Sequence, residues 1–266
     1  MMTYIFSAII IYIFIGLCLF VLQRRILFNT SGYPGSPKSY NLNKIKEINI
    51  PTSDGIDLLS WYYIGDKNLP LLVYFHGNSF HIGDRAHRIK KYIDKNWSVL
   101  LVSWRGFGGN LGKPSEKNLY EDGNAVLSWI SKNTYFENKQ IVIYGESLGS
   151  GVAVELGTKS KFLSIVLEAP FMSIPEVAQK RYKIFPTKYL VKDKFDNYSK
   201  IDKIKSPLLI LSGKKDEIVP HQHSIQLLEK AKVNKKGVFI DEAIHNNLYD
   251  FGIEKEVIKF NLELWQ

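Results

Sequence analysis

The sequence predicts an α/β fold with a mostly parallel central sheet flanked by helices, and three observations predict it. Near-continuous apolar runs of strand length recur at Pro70–Phe75, Trp97–Ser103, Phe162–Phe171 and Pro207–Ser212, the pattern of strands covered on both faces. Between such runs lie stretches of helical periodicity, as in Leu119, Ala125, Val126, Trp129 and Ile130, and right-handed crossovers in a strand–helix alternation make the sheet largely parallel. The third observation is Ile141–Gly151, IVIYGESLGSG, where an apolar strand meets a sharp turn carrying a serine and then a helix. A chain of 266 residues with 45% apolar and 23% charged residues can bury one large core, so residues 46–266 are expected to form one domain.

Taken in order, Met1–Leu22 has no charged side chain, and a helix over it would rise about 33 Å, enough to cross a hydrocarbon core. The missing charged n-region and the absence of a small-x-small site disfavour a cleaved signal. Residues 1–22 are therefore expected to be a single-pass transmembrane anchor whose partner is membrane lipid. Arg24, Arg25, Lys38, Lys44 and Lys46 follow with only Glu47 against them, which by the basic-side rule places the catalytic domain in the cytoplasm. Residues 23–45, with Gly32, Pro34, Gly35 and Pro37, read as an extended surface connector.

KIKEINI and IDLLSWYYI, separated by the turn Pro51–Gly55, read as an antiparallel edge leading into the sheet. A helix is expected over His87–Asp94, a second over Asn118–Ser131, and a third after the serine through Leu156. Residues 172–206 break the rhythm. Rich in Lys and Arg, with Phe185, Tyr189 and Leu190 interspersed, they read as a short lid over the mouth of a site. The strand GVFID and an amphipathic helix from Glu254 to Trp265 close the chain.

Composition narrows the function. The net charge is +9, yet no arginine cluster, aromatic-and-basic interleaving or helix-turn-helix pattern points to nucleic acid; attraction to acidic lipid surfaces fits the charge better. The single cysteine, Cys18, excludes an internal disulfide framework. No metal or cofactor is implied: His221 and His223 stand two apart without a carboxylate or third ligand, and with His81 and His87 they read as surface residues.

The chemistry gathers at Gly145-Glu146-Ser147-Leu148-Gly149. A serine on so tight a strand-to-helix turn leaves no room for side chains two residues before and two after it, which gives Gly145 and Gly149 their places. Its hydroxyl is unreactive at neutral pH unless a base takes the proton. His245, just beyond the last strand, lies where a loop reaches back over the carboxyl edge of the sheet. Asp216, Glu217 and Asp241 compete for the orienting carboxylate. The oxyanion of acyl transfer needs backbone donors, and the N–H of Leu148, at the start of the following helix, supplies one. Arg105 shapes the floor beside the site or meets a substrate carboxylate or phosphate.

In chain order, strand-HGN, strand-RGFG, strand-GESLG, strand-GxxD and a histidine after the last strand resemble the α/β-hydrolase superfamily over most of residues 46–266. RGFGGNLGKPSE is similar to the signature of the small membrane-anchored serine hydrolases related to Bem46 and to α/β-hydrolase-domain-containing protein 13, which has Ser where Asn110 stands and commonly Gly where Asn118 stands. The resemblance implies Asp216 as the acid and the N–H of Asn78 as second oxyanion donor, with Gly77 permitting the turn and His76 supporting the loop. It implies a serine hydrolase that cleaves an ester or thioester of a small-molecule, lipidic or acylated substrate through an acyl-enzyme on Ser147. The alternatives are a serine peptidase or amidase of the same fold, and an inactive membrane-tethered binding module.

Overall fold

Strict alternation of side chains along buried strands sets up two cores, one on each face of a single sheet. The computed structural model describes every residue except Ser79 and Gln266. Its strands are β1 (Lys46–Pro51), β2 (Asp57–Tyr63), β3 (Leu71–Phe75), β4 (Ser98–Val102), β5 (Ile141–Glu146), β6 (Ser164–Glu168), β7 (Leu208–Gly213) and β8 (Lys235–Ile240). They form one mixed sheet in the order β1-β2-β4-β3-β5-β6-β7-β8. The pairs β1·β2 and β2·β4 are antiparallel, and every other pair is parallel.

The helices are α1 (Met2–Leu27), α2 (Ala86–Ile93), α3 (Glu116–Asn133), α4 (Leu148–Lys159), α5 (Ile174–Arg181), α6 (Thr187–Leu190), α7 (His221–Lys230) and α8 (Ile253–Leu264). In β3, Leu71, Val73 and Phe75 share a core with Leu119 and Val126 of α3 and Val152 of α4. Leu72 and Tyr74 turn the other way, toward Ile89 of α2 and Val257 of α8. All five β3 residues are fully buried, each large apolar side chain contributing about 1.5–3 kcal/mol. This two-faced burial is why the strand is apolar throughout.

The strand order decides where a ligand can sit. From β3 the chain crosses to β4 on one side, then returns over β3 to β5 on the other, so the loops leaving β3 and β5 part at their carboxyl ends. Such a switch point opens a crevice above the sheet.

Several element bounds differ from the sequence expectation. Helix α4 begins at Leu148, where the sequence places its start, but runs past Leu156 to Lys159. Strand β6 is confined to Ser164–Glu168, because Ala169, at φ 46°, turns the chain away before Pro170. The apolar helix does not stop at its first polar residues but continues to Leu27. Gln23 Nε2 donates to Leu190 O at 3.2 Å, Gln23 Oε1 accepts from Lys192 N at 2.7 Å, and Arg24 Nε donates to Asp193 Oδ2 at 2.7 Å. With those partners supplied by the excursion between β6 and β7, the polar residues have no reason to leave the helix. Tyr12 also stacks on Phe185, ring centroids 4.8 Å apart. The connector is not wholly extended either: Pro37–Tyr40 form one tight helical turn, and Tyr40 rests on Trp61.

Candidate active site

Strand β5 delivers its last residue, Glu146, and the chain then reverses into α4 within one residue. Ser147 sits at that point with φ 46° and ψ −109°, a sparsely populated backbone region for a non-glycine residue that costs about 1–3 kcal/mol. The surrounding contacts hold it there. A Cβ on Gly145 would come within 2.6 Å of the Gly149 carbonyl oxygen, and one on Gly149 within 2.1 Å of the Phe75 carbonyl oxygen. Only glycines let the strand, the helix and the end of β3 approach so closely. The Ser147 N–H donates to Glu168 O at 2.8 Å, tying the turn to β6.

Three loops from separate strands converge on this serine. His245 Nε2 lies 3.0 Å from Ser147 Oγ, and His245 Nδ1 lies 2.6 Å from Asp216 Oδ2. Asp216 leaves β7, and its second oxygen accepts from the N–H groups of Ile218 (2.9 Å) and Val219 (2.8 Å), so Oδ2 alone faces the imidazole. The histidine loop is drawn over β7 by backbone contact. Lys215 N donates to Ala243 O at 3.0 Å, and a Cβ on Gly213 would stand 2.2 Å from that same oxygen. The Asp216 side chain is 1% exposed and that of His245 10%, a dry acid behind a ring that reaches the crevice. The other candidate acids lie apart: Glu217 is exposed, and Asp241 is exposed and paired with Lys214 at 2.6 Å.

Leu148 is the first residue of α4, where N–H groups have no carbonyl a turn back. Among the described residues its N–H has no hydrogen-bond acceptor, and neither does that of Asn78. The loop carrying Asn78 crosses directly over the nucleophile position, since a Cβ on Gly77 would sit 3.3 Å from Ser147 Cβ. The Asn78 side chain is engaged elsewhere: Oδ1 accepts from Asn29 N at 2.8 Å, and Nδ2 donates to Leu27 O. The loop over the serine is thereby clasped to the end of α1.

His76 is fully buried beside Trp104 and Phe107, with Nδ1 2.7 Å from the Gly77 carbonyl oxygen. Burial, with the charge of Arg85 adding, pushes its pKa down to about 3, so it is a neutral packing element and makes no hydrogen bond to Ser147. Arg105 is buried and saturated: Nε donates to Asp122 Oδ1 at 2.7 Å, and Nη1 donates to Asp54 Oδ2 at 2.6 Å. Its guanidinium is a clasp between β4, α3 and the β1–β2 turn, with nothing left for a substrate anion. Of the four histidines expected on the surface, His223 is instead buried, its Nδ1 accepting from Met172 N at 3.2 Å. Asn110 and Asn118, where the chain departs from the Bem46 signature, both serve loops. Asn110 accepts from Leu59 N at 3.0 Å and donates to Ser103 O at 3.1 Å, while Asn118 donates to Lys113 O at 3.0 Å.

Sequence reasoning missed the charged layer beneath the serine. Glu146 and Glu168 end neighbouring strands in register, two buried carboxylates side by side that require cationic partners. Arg85 supplies one, its Nε donating to Glu146 Oε2 at 2.8 Å. Arg88 supplies the other, with Nη1 donating to Glu168 Oε1 at 3.1 Å and Nη2 to Asn246 O at 3.1 Å. Tyr74 donates to Glu146 at 3.0 Å and Tyr144 to Glu168 at 2.7 Å. Burial pushes both carboxyls up; for Glu146 the charges of Arg85 and Arg88 overcome it and hold the pKa below the usual range. For Glu168, burial with the adjacent Glu146 charge prevails over Arg88 and leaves it raised. The legible signal was a glutamate closing each of two otherwise apolar strands.

This layer grips the residue before Ser147 and the residue after His245 at once. Arg88→Met should destabilise the protein by about 3–5 kcal/mol, the cost of stranding a buried charge. Adding Glu168→Gln should recover much of that loss. Urea unfolding of the single and double variants measures both terms.

The comparisons with known proteins match this architecture. The prolyl oligopeptidase family model matches residues 105–247. An uncharacterised protein of Mycobacterium tuberculosis is 32% identical over 85% of this chain and 81% of its own length. Bem46 of Schizosaccharomyces pombe is 30% identical over 79% of this chain and 75% of its own. Among solved structures, the Pyrococcus furiosus esterase Pf2001 superposes with a TM-score of 0.72 at 18% identity, covering 90% of this chain and 98% of that one. Est1E of Butyrivibrio proteoclasticus, with ferulic acid bound, gives 0.68 at 21% identity over 82% and 98%. Those two likenesses speak for the fold; the family rests on the model match and on the likeness to Bem46. The chain belongs to the α/β-hydrolase superfamily, as a serine hydrolase of the prolyl oligopeptidase type related to Bem46.

Proposed function

We propose that Ser147, His245 and Asp216 are a catalytic triad that cleaves an ester or thioester of a small-molecule, lipidic or acylated substrate. The observation that carries this reading is the unbroken line of contacts from Asp216 Oδ2 through the imidazole to Ser147 Oγ, at 2.6 and 3.0 Å. With Nδ1–H held by the carboxylate, Nε2 is left as the acceptor that takes the serine proton while Oγ attacks the acyl carbon. The oxyanion receives the N–H groups of Leu148 and Asn78, which have no other acceptor among the described residues. The imidazolium then protonates the leaving oxygen or sulfur. Water, deprotonated by the same ring, releases the acid from Ser147 and restores the hydroxyl.

Helix α1 is proposed to be the membrane anchor, with the domain on the cytoplasmic side. Its 26 residues would rise about 39 Å, none of them is fully buried, and Arg24 and Arg25 stand at its domain end. Residues 172–206, carrying α5 and α6, are the proposed lid. The prolyl oligopeptidase match supports a second reading, amide cleavage at the same serine.

A fluorophosphonate probe should label the full-length protein and leave Ser147→Ala unlabelled, with hydrolysis of activated esters and thioesters exceeding that of matched anilides. Faster anilide cleavage transfers the assignment to the amidase reading. A folded wild type that neither reacts with the probe nor turns over any ester refutes the enzyme. In membranes, the full chain should resist carbonate and high-salt extraction; release into the supernatant refutes the anchor.

A further inference from the structure

The proposed lid and helix α1 line a half-open cavity of about 550 Å³, within the range of about 300–1,000 Å³ typical of small-molecule sites. Leu19, Phe20 and Leu27 of α1 form one wall; Val177 of α5, with Phe185 and Leu190, forms the other. Nothing in the sequence motifs assigns α1 to a binding site. The wall is nonetheless fixed: Tyr12 stacks on Phe185 and donates to Ile184 O at 2.9 Å, while Arg24 is paired with Asp193. At its inner end the cavity is bounded by Asn78, Glu217 and Ile218. Asn78 adjoins Gly77, which lies against Ser147, and Glu217 adjoins Asp216. The cavity therefore ends at the loops that carry Gly77 and Asp216, beside the Ser147 crevice.

We infer that this cavity is the binding site for one long acyl chain of a membrane lipid ester, and that the amino-terminal helix is a wall of the substrate site as well as an anchor. The inference rests on the reading of Ser147 as nucleophile. Three features select that ligand. Both facing walls are mostly apolar, with Gln23, Thr187, Lys180 and Arg181 as the polar interruptions, so most of the occupant's buried part is a hydrocarbon. Asn78 stands at the end nearest Ser147, where an ester carbonyl would meet the N–H groups of Leu148 and Asn78. Leu19 and Phe20 continue the uncharged run of the outer part of α1, so an acyl chain reaches the cavity along one apolar helix face. Lys180 and Arg181 also line it, the charge sign that draws acidic lipid surfaces.

The test is a series of p-nitrophenyl esters, from acetate through butyrate and octanoate to dodecanoate, with the full-length protein in a fixed detergent. For the wild type, kcat/KM should rise about tenfold for every two methylenes added, until the cavity is filled. Leu19→Trp from the helix side and Val177→Trp from the lid side should each lower the dodecanoate-to-acetate ratio of kcat/KM by about tenfold or more. Ile10→Trp, on the exposed outer part of α1, should leave that ratio in place. An oleoyl lysophospholipid should compete with dodecanoate cleavage in the wild type and less well in Leu19→Trp. A ratio unmoved by both cavity variants, with acetate still cleaved and Ser147 still labelled, overturns the acyl site and leaves the hydrolase reading standing. Failure of the wild type to cleave any ester or to accept the fluorophosphonate defeats that reading, and this inference with it.

Discussion

His245→Ala should lower kcat on an activated ester by about five to six orders of magnitude, and Ser147→Ala should do the same. The size follows from the two residues acting as one unit, as in serine proteases where removal of either costs about as much as removal of both. On the proposed mechanism the imidazole 3.0 Å from Oγ handles the proton in acylation and again in deacylation, so both steps lose their base together and only the oxyanion donors and binding remain. The Ser147→Ala/His245→Ala double variant should therefore be no slower than either single one. Burst and steady-state kinetics on the folded variants check this. Near-normal turnover in His245→Ala would remove it from the triad, and additive losses would show the two residues working separately.

Asp216→Asn is expected to cost about 10³–10⁴ in kcat, by analogy with the serine-protease acid. The amide would still accept the N–H groups of Ile218 and Val219 through its oxygen. It would then present an NH₂ to Nδ1, which favours the tautomer carrying its proton on Nε2, the atom that must accept from serine. The imidazolium would also lose its counter-charge in a site where Asp216 is nearly dry. Glu217→Gln should change kcat little, because that side chain is exposed while Asp216 holds His245, and its backbone carbonyl still accepts from Lys180 at 3.1 Å. A crippled Glu217→Gln beside an active Asp216→Asn reverses the assignment.

The elements that were easy to read share a physical cause. Strand β3 throughout and β7 over Leu208–Leu211 are apolar because both faces are covered, and α3 repeats its apolar residues because one face packs on the sheet. The elbow was legible because its glycines answer to contacts within a few residues of each other or with the adjoining strand. Harder cases involved partners far apart in the chain. Arg105 offered an open guanidinium in sequence, whereas Asp54 and Asp122 occupy it after the chain closes. His223 belongs to a helix start in sequence and to the interior once Met172 is laid over it. The first residues of the connector were read as extended for the same reason, since polar residues leave a helix only if no other segment satisfies them.

By itself the sequence determined the layered α/β architecture, the strand–serine–helix turn, the apolar amino-terminal helix and the family, because periodicity, glycine placement and motif order are properties of local stretches. Which carboxylate faces His245, what neutralises Glu146 and Glu168, and what encloses the space beside Ser147 were decided only by the tertiary structure. Those are distances between groups tens to more than a hundred residues apart. The energies of charge pairing and desolvation that select among them depend on burial, which exists only after the sheet, the lid and the first helix have come together.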